Sequence, residues 1–193
     1  MKLAGFLASL TAVAQVQSLE APLAGYGVVD FGWEVRTSPE GPLHHINGTI
    51  QDVVQYLKEV DPTYEVPVVP VARLESRQSL VESRQLRIDC FNWPVANGNR
   101  IQDGINYLMG VGGQPSNGPG PGACGRVSCS YNAAIWWCND NRVTYTLPSY
   151  KNIANGAQNV KQQCQRRPSG FTETSGQGFF DGNWNVVVRE DSC

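Results

Sequence analysis

The chain has 193 residues, with 15 Lys/Arg against 17 Asp/Glu and a formal net charge of −2. So small and balanced a charge lacks the basic field that recruits a polyanion, which argues against nucleic acid as a partner. The length allows one domain, or one domain with a smaller piece attached.

Met1 and Lys2 precede a mostly apolar run from Leu3 to Ala14, too short to span a bilayer and followed by small residues suited to cleavage. Residues 1–18 therefore read as a secretory signal peptide, cut after Ala14 or after Ser18. No other stretch approaches transmembrane length, so a secreted protein without stable membrane insertion is expected. All six cysteines, Cys90, Cys124, Cys129, Cys138, Cys164 and Cys193, lie in the second half. An even number in a secreted chain points to three disulfides, with roughly 15 connectivities open. Neither Cys-x-x-Cys pairs nor Cys with His occur, so no metal site and no cofactor are expected.

Residues 19–87 contain no cysteine. Val29, Phe31, Trp33 and Val35 alternate with small or polar residues, the pattern of a strand with one apolar face. After a turn at residues 38–42, Ile50, Val53, Val54 and Leu57 form an i, i+3, i+4, i+7 stripe; this helix begins near Asn47 to Thr49 and ends at Asp61-Pro62. Residues 64–71 contain two prolines and read as extended. The polar tract 73–87 carries four arginines and reads as a solvated linker. Residues 19–87 carry 10 acidic and 6 basic side chains, whereas residues 88–193 carry 7 and 8. An acidic leader thus precedes a slightly basic body. Residues 19–87 are expected to be a propeptide released at Arg77, Arg84 or Arg87, the alternative being an N-terminal subdomain that stays attached. Asn47-Gly48-Thr49 is a glycosylation sequon, and Thr49 also suits a helix cap.

The body is expected to begin at Ile88-Asp89-Cys90. A helix over residues 99–109 places Ile101, Ile105 and Leu108 one turn apart, despite Gly104. Residues 110–122 are so rich in Gly, Pro, Ser and Asn that they read as a loop. Residues 124–138 then hold three cysteines around a Ser-Tyr-Asn step, which reads as a cystine-anchored hairpin of Arg126 to Ser130 and Ala134 to Asn139. A short strand at residues 143–147 leads to a helix opening at Pro148-Ser149, with Ile153, Ala157, Val160 and Cys164 on its buried face. The segment with Gly170, Ser175, Gly176 and Gly178 reads as a loop, and residues 184–188 as the body's most regular strand. Cys193 would pin the chain end.

Arg126-Val127-Ser128-Cys129, the helix ending in Cys164, and Asn183 to Val188 with Cys193 together resemble the virally encoded killer toxins of smut fungi. More loosely they resemble the necrosis-inducing effectors of plant-pathogenic fungi. The likeness covers residues 88–193. It implies an α+β sandwich, an antiparallel sheet covered on one face by two helices, and a secreted toxin or effector acting on other cells. It also implies action on calcium channels through a basic residue before a sheet cysteine, for which Arg126 is the nearest match.

Chemistry is sparse in the body. His44 and His45, the only histidines, lie in the leader, so a body cut free of it has no histidine base. Asp89, Asp103, Asp140, Glu173, Asp181, Glu190 and Asp191 are scattered, without the spacing of a paired-carboxylate hydrolase. Gly110 to Gly113 lacks the lysine of a phosphate loop. Alternation sends Trp136 and Trp137 to opposite faces, one into the core and the other either exposed and suited to a glycan or protein contact or, as the alternative, covered by a helix or loop. Arg126, Trp136 and Trp137 are therefore the candidate contact residues. The expectation is a non-enzymatic, monomeric toxin-like effector or antimicrobial protein acting on a target-cell surface protein, channel or glycan. A small secreted hydrolase or carbohydrate-binding protein is the competing class.

Overall fold

Helix and strand periodicity translate into a layered α+β structure. The computed structural model describes residues 19–38, 40–66, 83–168 and 170–193. The expected signal peptide and Arg77 lie outside that range. In chain order the elements are β1 (Gly27–Val28), β2 (Gly32–Val35), β3 (His44–Asn47), α1 (Ile50–Val60), β4 (Gln85–Cys90), β5 (Ala96–Asn97), α2 (Gly98–Gly110), β6 (Ser116–Asn117) and β7 (Ala123–Ser130). They continue as β8 (Ala133–Asn139), β9 (Tyr145–Thr146), α3 (Tyr150–Gln163), β10 (Gln165–Arg166), β11 (Glu173–Thr174), β12 (Gly176–Phe180) and β13 (Trp184–Glu190). The main sheet has the order β1-β7-β8-β13-β12-β4. Its body strands pair antiparallel, whereas β1 joins β7 in parallel, so the sheet is mixed and not purely antiparallel as expected.

Three helices form among the described residues, one more than expected for the body alone, because α1 of the leader packs beside α2. Each starts where its capping chemistry lies. The Thr49 backbone N–H and hydroxyl both donate to Asp52 Oδ2, at 2.7 and 2.8 Å. Asn97 Oδ1 accepts from Asn99 N–H at 2.9 Å, and Ser149 Oγ from Lys151 N–H at 3.2 Å. Ile50, Val53, Val54 and Leu57 of α1, Ile101, Ile105 and Leu108 of α2, and Ile153, Ala157 and Val160 of α3 all face one core.

Two expectations are corrected here. Residues 85–87, the end of the expected linker, instead open the outer strand β4, which pairs with β12; Arg87 stacks over the Phe179 ring at 4.2 Å and meets Asp89 at 3.1 Å. Likewise Gly176 and Gly178 belong to strand β12 and not to a loop. A Cβ on Gly176 would lie 2.8 Å from Cys164 Sγ, and one on Gly178 3.0 Å from Val160, so bare glycines let α3 settle onto the sheet. Gly104 acts similarly in α2, where a Cβ would lie 3.2 Å from Ile135 Cδ1. The loop 110–122 also contributes the short β6, which pairs with β9.

The hairpin forms as expected, with β7 and β8 longer than anticipated. Its turn is Tyr131–Asn132, both at positive φ (49° and 57°), the two-residue geometry that matches strand twist. The disulfides are Cys124–Cys138 across the hairpin, Cys129–Cys193 from β7 to the chain end, and Cys90–Cys164 from β4 to the end of α3. They resolve the connectivity that spacing left open. All three lie within residues 90–193, and such cystines suit an oxidising, extracellular setting.

Candidate functional site

The hairpin does send Trp136 and Trp137 to opposite faces, but both are fully covered, at 0 % exposure. Trp137 enters the helix-side core, where the Phe31 ring meets it edge-on at 5.6 Å. Trp136 lies on the other face among Cys124, Cys129, Cys138 and Val187, under Leu23, Tyr26, Val28 and Trp93. Of the two alternatives the sequence leaves open, an exposed tryptophan and two covered ones, the second holds: the leader and the loop at Trp93 supply covers that strand alternation does not reveal.

Arg126 is also occupied. Its Nη1 donates to Ser192 O at 2.7 Å and stands 4.0 Å from Asp191, with the guanidinium 5.8 Å from the Trp136 ring. Trp136 Nε1–H donates to the same carboxylate at 3.0 Å. The residue therefore clamps the C-terminal tail onto the sheet beside Cys129–Cys193. Cys90, Cys124, Cys129, Cys138, Cys164 and Cys193 are all cystine scaffold. Asn47 is exposed at the end of β3.

The histidines occupy strand β3 and not a loop. His45 Nδ1 lies 3.6 Å from Glu34, and His44 Nδ1 lies 3.3 Å from the Tyr56 hydroxyl. A cleft of about 700 Å³ opens nearby, with Glu34, Arg36, Ser38, Tyr64 and Gly112 in its wall. Among the described residues, no cluster of three His, Cys, Asp or Glu side chains gathers in a metal-binding arrangement.

A different group of side chains stands open at the end of the body where the hairpin turns. Tyr131 at the turn is 77 % exposed, and the Arg100 guanidinium, from the first turn of α2, lies 4.4 Å from its ring. Arg100 is held in place by Asp103 at 3.1 Å. Gly98 N–H donates to Thr172 O at 2.8 Å, which brings Phe171, 52 % exposed, beside the start of that helix. Through the β10-β11-β5 sheet the same end carries Arg166, paired with Glu173 at 3.1 Å and lying 5.0 Å over the ring of Phe91. Phe91 is 42 % exposed and has φ of 62°, a left-handed backbone that a bulky residue rarely adopts. The tail closes the assembly, with Glu190 N–H donating to Pro94 O and Asp191 N–H to Asn132 O.

Lys161 adds a cation to the two carboxylate-paired arginines of this end. Lys161 Nζ donates to Gln102 Oε1 at 2.8 Å, and its pKa is lowered by burial first and by the neighbouring charge of Arg167 second. Three exposed rings, two of them under carboxylate-paired guanidinium groups, stand at one end of a cystine-locked frame. Such a surface suits sugar faces and acidic groups. The sequence reading missed these residues. Tyr131 was the accessible clue, since a ring at a two-residue turn has little to cover it, whereas the Phe91 backbone leaves no local signature.

No protein-family model, curated protein or solved structure matches the chain.

Proposed function

We propose that this is a secreted, toxin-like effector or antimicrobial protein that acts by binding the surface of a target cell, without turning over a substrate. The observation that carries the reading is the open end of the body, where Tyr131, Phe91 and Phe171 stand exposed with Arg100 and Arg166 over two of the rings. Exposed rings on a rigid frame contribute contact area at low entropic cost, and buried aromatic and arginine contacts dominate binding energies. The ligand chemistry that fits is a glycan or protein surface bearing acidic groups. Three disulfides support an extracellular working place, and the run at residues 1–18 supports export by a signal peptide. The killer-toxin likeness within this reading rests on the sequence pattern of residues 88–193.

The test applies the purified protein to fungal and plant cells and follows surface binding, growth and calcium uptake. Binding with an effect on growth or calcium is expected from at least one cell type. Absence of binding to either would overturn the proposal. The cleft beside Glu34 and His45 favours a second reading, a small hydrolase, which release of product from cell-wall polysaccharide would reveal.

A further inference from the structure

We propose that residues 19–66 are a permanently seated, non-covalent light chain of this fold, and that cutting the polypeptide within residues 67–82 leaves them in place. The segment clips over the β7 edge of the main sheet. On the cystine face, Leu23, Tyr26 and Val28 pack against the cluster around Trp136. Pro22 O accepts from Trp93 Nε1–H at 2.9 Å, and the Tyr26 hydroxyl donates to Asp140 at 2.8 Å.

At the edge, Gly27 N–H donates to Gly122 O at 2.8 Å and Val29 N–H to Cys124 O at 2.9 Å, so β1 pairs with the first part of β7. Beyond the irregularity between Arg126 and Ser128, a side chain takes over. Gln51 Oε1 accepts from Cys129 N–H at 3.0 Å while its Nε2 donates to Ser128 Oγ at 2.9 Å. A strand and an amide together close an edge whose open donors would otherwise recruit another chain.

On the helix face the segment becomes core. Trp33 stacks on Tyr150 with ring centroids 4.5 Å apart, and Phe31 lies over Gly125, where a Cβ would come within 2.8 Å of it. Phe31, Trp33, Val35, Ile50, Val53 and Leu57 are all buried in the cluster that holds Val127, Ile135 and Trp137. Release would therefore uncover the inner aromatics and unpair the strand edge at once. A disposable propeptide would leave a finished surface behind; this segment would leave an opened core.

Nothing covalent enforces the association, because every disulfide lies within residues 90–193. Of the expected cleavage points, Arg84 O accepts from Asp181 N–H at 3.0 Å and Arg87 lies inside β4, whereas Arg77 belongs to residues 67–82.

The experiment uses the full secreted chain with residues 73–77 replaced by a site-specific protease sequence, folded first and cut afterwards. Two polypeptides by mass in non-reducing denaturant, eluting as one species from gel filtration in native buffer at micromolar concentration, are the expected result. Elution of the leader fragment apart from the body, whether the body stays soluble or precipitates, would overturn the proposal.

Discussion

Phe91 carries a backbone conformation that costs energy and an exposed ring that recovers little of it by burial. Glycine at this position removes the strain, so Phe91→Gly is expected to raise stability by about 1 kcal/mol in urea titration while weakening cell-surface binding. Equal losses of stability and binding would instead make Phe91 a packing residue. Tyr26 offers a pH test. Burial first, then the hydrogen bond and charge of Asp140, push its hydroxyl up to about 12 from the ordinary value of 10.0. A pKa raised on folding means that the neutral phenol stabilises the folded chain. Its contribution is complete below pH 10 and is lost as pH rises towards 12. Melting temperature should fall across that window, and Tyr26→Phe should flatten the fall; an unchanged slope would contradict the assigned role.

Among the elements, α1, α2 and α3 were legible because their signals are local: an apolar stripe, a cap three or fewer residues away, and a proline or turn at the far end. The β7–β8 hairpin was legible for the same reason. Strands β4 and β12 were hidden because composition misleads where tertiary packing decides. Arg87, one of the arginines that mark a linker in isolation, lies in the paired edge strand β4, and Gly176 and Gly178, which mimic a loop, are clearance beneath α3. Gly176→Ala is therefore expected to destabilise the fold by about 1–3 kcal/mol, as overpacking does, and chemical denaturation would measure it. A neutral effect would show that α3 can lift away without cost.

For the whole molecule, periodicity conveyed that Trp136 and Trp137 part company but not that each finds a cover. Those covers, Phe31 on one face and Tyr26 with Val28 on the other, come from some hundred residues earlier in the chain. The charge contrast between residues 19–87 and 88–193 suggests a removable leader, whereas the core that Phe31, Trp33, Ile50 and Leu57 share with the body is what supports the proposal of a permanently seated segment. The cystines stabilise the fold through the unfolded chain. Cys90–Cys164 spans a sequence separation of 74, so replacing both cysteines with serine is expected to cost about 4 kcal/mol in equilibrium unfolding. A loss near zero would mean that the pairing of β4 with β12 holds the edge without it.

In the proposed function, binding of target cells falls to the open end at Tyr131, Arg100, Phe91 and Arg166. It is tested most directly by titrating labelled wild-type protein and the Tyr131→Ala/Arg166→Ala variant onto whole cells, with melting temperature as the control. Saturable wild-type binding is expected, with a loss of affinity of at least about tenfold in the variant at unchanged melting temperature. Equal binding by the two proteins would contradict it.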